Sequence, residues 1–310
     1  VTLTTGDDVT CTVTNKRNAA RLTLVKNVNP NNAGTPGQWV LTATPQSITG
    51  QGAVTGNSGT AAVTNVNVFT GTYALTEDNG PGGFTQDGPW VCTKAGGGTA
   101  TVTDGKVTLT TGDDVTCTVT NKRNEGKLTL VKSVKSPGTP DQWQLTAKPQ
   151  NITGQGDVTG NGDPTSQGGV NKVSVFTGQY KLSEDGPGDF TQDGDWKCTG
   201  GTLNGDTVTV TTGADVTCTV TNKRNEGQIT LVKDVKPAKA GTPDQWQLTA
   251  TPQNITGQAD VTGNGDPTSQ GGVNKVNVFT GQYKLSENDG PGNFTQDGDW
   301  KCTGGTLNGD

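Results

Sequence analysis

A chain of 310 residues with 28% hydrophobic side chains, no histidine and a formal net charge of −6 leaves little room for several common functions. Without histidine it lacks the usual general base and zinc ligand, and its Lys and Arg residues are scattered, with no basic footprint for nucleic acid. No apolar run approaches the length of a membrane-crossing helix, and neither a signal peptide nor an initiator Met is present, so the chain reads as a mature product or a window of something longer. So polar a composition would by itself fit disorder. Regular Val/Thr alternation and two tryptophans per repeat predict thin β-sandwiches with many turns instead.

The first eighteen residues, Val1–Asn18, return intact as Val107–Asn124 and slightly altered as Val208–Asn225. Val9, Cys11, Val13 and Asn15 alternate with threonines, which is a period-2 strand with one buried face. In the two internal copies this strand closes a repeat begun about a hundred residues earlier. The expected organisation is therefore a donor strand (1–18), two sandwich domains (19–124 and 125–225), and a third (226–310) without its last strand.

Each domain opens on a strand, Leu22–Val28, Leu128–Val134 or Ile229–Val235. A turn of the G-T-P-x-Q-W type follows, then the strand W-x-L-T-A-x-P and a Gly-rich polar excursion. The segment V-F-T-G-x-Y-x-L-x-E, a Pro-Gly turn, a W-x-C strand and the closing strand complete the unit. Ala19-Ala20, Glu125-Gly126 and Glu226-Gly227 read as two-residue linkers, which predicts domains stacked end to end with limited freedom. No window has helical periodicity. About seven short strands per domain predict an all-β fold of three tandem Ig-like or prealbumin-like β-sandwiches, the last completed by a strand from a neighbouring chain or repeat.

Six cysteines sit at repeating positions. Within the chain the W-x-C and closing strands pair Cys92 with Cys117 and Cys198 with Cys218, leaving Cys11 and Cys302. An even count in a Thr/Gly-rich β chain without C-x-x-C predicts disulfides and an oxidising, extracellular setting rather than a metal site. The tryptophans in phase with them (Trp90, Trp196, Trp300) are expected to pack against the bridges.

Three strands carry a polar residue where the alternation calls for an apolar one: a lysine in the opening strand, a glutamate after Y-x-L, and an asparagine in the closing strand. A buried unpaired charge is costly, so the coincidence asks for a common cause. A desolvated lysine becomes a nucleophilic amine, and a carboxyl raised in pKa by the same apolar surroundings can polarise a carboxamide and carry a proton to the departing ammonia. The product is a Lys–Asn amide between first and last strands. The alternative is a buried Lys–Glu salt bridge capped by Asn.

L-T-L-V-K, Y-x-L-x-E-x-x-G-P-G-x-F and the terminal V-T-N resemble the collagen-adhesin B-repeats and SpaA-type prealbumin-like domains of Gram-positive surface proteins. The W-x-C and C-T-V-T-N variant is similar to actinobacterial secreted versions. The resemblance covers essentially the whole chain. It implies self-forming isopeptides from Lys26, Glu77 and Asn121 in the first domain and Lys132, Glu184 and Asn222 in the second, with the glutamates catalytic. The third domain supplies Lys233 and Glu287. No sorting signal or pilin-type lysine motif occurs, so sortase assembly is not implied, and the aromatic after the Pro-Gly turn is Phe (Phe84, Phe190, Phe294).

Val1–Asn18 of one molecule is expected to complete the third domain of another by strand donation, joining Cys302 to Cys11 and Lys233 to Asn15. Such a contact is head-to-tail and propagates as a homopolymer; the competing reading is a window of a longer tandem array. D-V-T-G-N-G-D (Asp157–Asp163, Asp260–Asp266) has calcium-like spacing, but the first repeat lacks the acids, which favours a plain Gly/Asn loop. Asn151, Asn254 and Asn293 open glycosylation sequons that matter only in a glycosylating host. No cofactor is expected, and no turnover enzyme. The leading function is a structural subunit of an extracellular fibre or cell-surface stalk. The alternatives are an adhesin region binding glycan or host protein through its loops and a hydrolase accessory region.

Overall fold

Leu22, Leu24, Lys26 and Val28 alternate with residues of the opposite face, and in the computed structural model, which describes residues 1–135, 137–288 and 290–308, they form β1 (Ala19–Asn29). A single 3-10 turn (Pro36–Gln38) then leads to β2 (Val40–Pro45), β3 (Val54–Asn57), β4 (Val66–Phe69), β5 (Gly71–Asp78) and β6 (Phe84–Gln86). The first domain ends with β7 (Val91–Lys94), β8 (Thr99–Ala100), β9 (Val102–Thr103), β10 (Lys106–Leu109) and β11 (Asp114–Arg123). One sheet has the order β4-β1-β11-β7-β8 with β6 also on β11; the other runs β3-β2-β5-β10-β9. First and last strands are neighbours and parallel, from Arg21 opposite Asp114 to Asn29 opposite Lys122.

The inward residues of both sheets meet in one core, with Leu22, Leu24, Leu41, Tyr73, Val107 and Val119 fully buried. Each such aliphatic side chain contributes about 1.5–3 kcal/mol by leaving water. The G-T-P-x-Q-W turn is locally specified: proline starts it, and Gln38 Oε1 accepts the Thr35 amide at 3.1 Å. Trp39 stands at the end of that turn rather than inside a strand. Tyr73 Oη donates to the Phe69 carbonyl at 2.7 Å, a bond repeated by Tyr180 and Tyr283. Replacing Tyr73 by Phe strands that carbonyl and is expected to cost about 1 kcal/mol. A denaturant melt with a lower midpoint and unchanged slope is the expected result; an unshifted midpoint would contradict it.

The second domain repeats the plan with β12 (Glu125–Val134), β13 (Gln144–Gln150), β14 (Val158–Asn161), β15 (Val173–Phe176), β16 (Gly178–Asp185), β17 (Phe190–Gln192), β18 (Lys197–Thr199), β19 (Thr202–Asn204), β20 (Thr207–Val210) and β21 (Asp215–Arg224). Its sheets are β15-β12-β21-β17, with β18 on β21, and β14-β13-β16-β20-β19. The strand count exceeds the expected seven because the Gly-rich excursion itself holds a short strand (β3, β14), and the segment between W-x-C and the closing strand folds into further ones. The expected linkers are also corrected. Glu125 and Gly126 belong to β12, paired with Phe176 and Val175, so the chain passes from one domain to the next through Asn124 alone.

The third domain keeps β22 (Glu226–Ile229), β23 (Gln247–Gln253), β24 (Val261–Asn264), β25 (Val276–Phe279) and β26 (Gln282–Glu287), in sheets of two and three strands. Beyond Ile229 the chain follows the course of β12: Leu231 and Lys233 amides reach the Val273 and Gly265 carbonyls, as Leu130 and Lys132 reach Val170 and Gly162. On the side where β12 meets β21, however, no strand lies alongside among the described residues, and the ladder stops. Val232 is 58% exposed, and the expected Trp300–Cys302 strand does not form, because its partner in the other domains is the closing strand. Val1–Asn18, identical to Val107–Asn124, is exposed and joins no ladder. Only its turn is formed: Asp7 Oδ2 accepts the Thr4 amide at 2.8 Å, as Asp113 does for Thr110. Among the described residues no helix is long and apolar enough to cross a membrane.

Candidate cross-link site

Strand alternation turns the polar trio toward the space between the two sheets. Lys26 lies on β1, Asn121 on the neighbouring parallel β11, and Glu77 on β5 in the facing sheet. Lys26 is opposite Val119 and Asn121 is opposite Val28, so lysine and asparagine share the inward face two positions apart. The Lys26 side chain is fully buried, with Nζ 2.5 Å from Glu77 Oε2 and 5.0 Å from the centre of the Trp39 ring. Phe84 packs edge-on to that ring at 5.1 Å. Burial holds the Lys26 ammonium below its ordinary 10.5, against the opposing pull of the Glu77 hydrogen bond and charge.

The second domain reproduces each contact. Lys132 pairs with Glu184, stands 4.8 Å over Trp143, and is lowered by burial in the same way. Asn222 is opposite Val134 as Asn121 is opposite Val28. Both asparagines are buried, yet Asn121 Oδ1 and Asn222 Oδ1 have no hydrogen-bond partner. An orphaned buried carbonyl costs about 1–3 kcal/mol and asks for a reason. In the third domain Lys233 lies 2.6 Å from Glu287 and 5.1 Å over Trp246, but both side chains are 16% exposed. No closing-strand asparagine follows within the 310 residues. Asn15, the residue expected to serve it, is exposed in the unpaired leading segment.

The disulfides join Cys92 to Cys117 and Cys198 to Cys218, and Cys11 and Cys302 are free and exposed. Trp90 and Trp196 are buried in the cores. Sequence reasoning missed the tryptophan over each lysine; the recurrence of G-T-P-x-Q-W after every lysine strand was the available signal. It also missed the glycines that admit the indole: a Cβ at Gly80, Gly186 or Gly290 would strike it. In the D-V-T-G-N-G-D loops, Asp163 and Asp266 accept hydrogen bonds from Thr165 and Thr268 in their own turns. Among the described residues no three metal-ligating side chains converge.

A family model described as a prealbumin-like fold domain, of SpaA type, matches residues 17–119, 124–220 and 225–310. Solved structures similar to this chain include the Bacillus anthracis TIE protein, at 16% identity and TM-score 0.48, covering 89% of this chain and 46% of that one. The C-terminal fragment of the pilus adhesin SpaC from Lactobacillus rhamnosus GG is 15% identical with TM-score 0.42, covering 67% and 98%. The major pilin from Streptococcus pyogenes is 13% identical with TM-score 0.34, covering 68% and 99%. The chain thus spans under half the length of the TIE protein. No curated protein matches it.

Proposed function

This chain belongs to the SpaA-type prealbumin-like fold domain family, and we propose that it is a structural segment of an extracellular fibre or stalk, its domains locked by autocatalytic Lys–Asn amide bonds. The observation that carries the reading is a buried lysine paired with a glutamate and, two register positions along the same inward face, a buried asparagine whose Oδ1 has no partner. Proton transfer within the pair converts ammonium and carboxylate into amine and carboxylic acid, a step favoured by the desolvation that already depresses the lysine. The acid proton then serves the orphaned Oδ1 while Nζ adds to the carboxamide carbon. That addition makes the new C–N bond; the glutamate then carries the amine's proton to the carboxamide nitrogen, and collapse breaks the old C–N bond, releases ammonia and gives the Oδ1 proton back to the glutamate. Fixed geometry supplies the effective concentration. Trp39 and Trp143 cover the two fully buried lysines, Lys26 and Lys132.

Strand donation is part of the same reading. Val1–Asn18 carries the sequence of β10 and β11, is unpaired, and holds Cys11 and Asn15 where domain 1 has Cys117 and Asn121. The third domain offers an unpaired edge, Lys233 with Glu287, and a free Cys302. Following the register of β12 with β21, the donated strand sets Cys11 opposite Leu231 and Asn15 opposite Val235. In an oxidising compartment the cysteines close as well.

Intact mass and a boiled, reduced denaturing gel test both parts. A mass short by one ammonia for each of the first two domains is expected, with a ladder of covalent multiples. A mass equal to the sequence sum sinks the internal amides; a lone monomer band sinks the bond between copies.

A further inference from the structure

The two joints between domains are built alike. Arg123, at the end of β11, lies 4.7 Å over Phe84 of its own domain and 5.8 Å over Phe176 of the next. Its Nη2 donates to the Thr177 carbonyl at 3.0 Å, and the Thr177 amide donates to the Asn124 carbonyl at 2.9 Å. Beside this contact Gly154, in the turn after β13, rests on Asn32 and Ala33 of domain 1; a Cβ there would fall 2.6 Å from the Asn32 carbonyl oxygen. At the second joint Arg224 lies 5.2 Å over Phe190 and 5.6 Å over Phe279. The Thr280 amide donates to the Asn225 carbonyl at 2.9 Å, and Gly257 rests on Pro137.

Counted from the following G-T-P, Ala33, Pro137 and Ala240 occupy one position. Domain 1 presents the receiving half of this joint in Gly50, Phe69 and Thr70. Half of it is already engaged: Arg17 lies 5.2 Å over Phe69, and the Thr70 amide donates to the Asn18 carbonyl at 3.2 Å. At Gly50, in contrast, a Cβ would meet only the Phe69 ring, at 3.8 Å. Ala240 is exposed.

We propose that the Gly50, Phe69 and Thr70 end of domain 1 is a docking surface for the third domain of a second copy, with Ala240 seated on Gly50. The joint between copies then repeats the joint within one. This rests on the strand-donation reading, because Arg17 and Asn18 lead straight from the donated strand into the contact.

The test uses the full chain and follows the initial rate of multimer formation by sedimentation. Gly50→Asn adds bulk at a positive φ of 79° that asparagine tolerates, and Ala240→Arg blocks the same contact from an exposed loop. Each is expected to slow assembly about tenfold, the loss of one packed contact, with the melting of the chain unchanged. Wild type that assembles while both variants keep pace overturns the docked joint and leaves strand donation standing. Wild type that stays monomeric with Cys11 free overturns strand donation, and the docking surface with it.

Discussion

Replacing Glu77 by glutamine is expected to abolish the loss of ammonia proposed for the first domain and to produce the largest loss of stability of any single change in that domain. Glutamine cannot take the lysine proton, so amide formation slows by about 10²–10⁴-fold. Two losses combine. A tie closing a loop of roughly 100 residues is worth about 4–5 kcal/mol, and Lys26, fully buried, is left without its counterion at about 3–5 kcal/mol. Their sum rivals the whole stability of a domain this size, about 5–15 kcal/mol. Asn121→Ala separates the two, since it removes the tie and keeps the Lys26–Glu77 pair. Differential scanning calorimetry should rank wild type above Asn121→Ala and Asn121→Ala above Glu77→Gln. Were the site only a salt bridge, wild type would carry no deficit and Asn121→Ala would cost almost nothing.

The second large effect is expected from Cys92→Ala combined with Cys117→Ala. The two cysteines are directly opposite on β7 and β11, and their bridge closes 25 residues of chain. Its removal should cost about 3 kcal/mol and lower the melting temperature of the first domain by roughly 12–24 °C. Small cores make the staple matter more. β11 is held by this bridge on one side and, in the proposed reading, by the Lys26–Asn121 amide on the other. Removing both is therefore expected to cost more than the sum, since either tie keeps the closing strand in place when the other is cut. Oxidised and reduced wild type melting together would refute the staple.

The fold was largely legible because one-sided burial imprints itself on the chain. The sets Leu22, Leu24, Lys26, Val28 and Val115, Cys117, Val119, Asn121 point inward as their alternation requires, and the cysteine pairing follows from the repeat. The trio was legible for the same reason, as polar residues breaking an apolar period. What stayed hidden depends on neighbours distant in sequence. Glu125 and Gly126 look like a linker until Phe176 and Val175 pair with them. Arg123 looks like a surface residue until Phe176 is seen beneath it. Trp39 announces itself only as part of a motif recurring after each lysine strand, and the motif does not say that the ring lies over Lys26 rather than simply filling the core. Val1–Asn18 marks the limit most clearly: the same eighteen residues form two strands in domain 1 and none at the start of the chain. Only the Thr4–Asp7 turn survives there, since a turn is specified locally and a strand needs another strand.

The parallel alignment of β1 with β11 has a mechanical consequence. Because the strands run the same way, the chain enters a domain at one pole, at Ala19, and leaves it at the other, at Arg123. Tension along a row of such domains therefore loads the β1–β11 ladder in shear, with nine registered residue pairs from Arg21 to Asn29 resisting together. They cannot be peeled open one after another. Rupture under pull is governed by the unfolding barrier rather than by equilibrium stability, and Lys26 and Asn121 lie within that ladder, where a covalent bond would divert the load from everything folded between them.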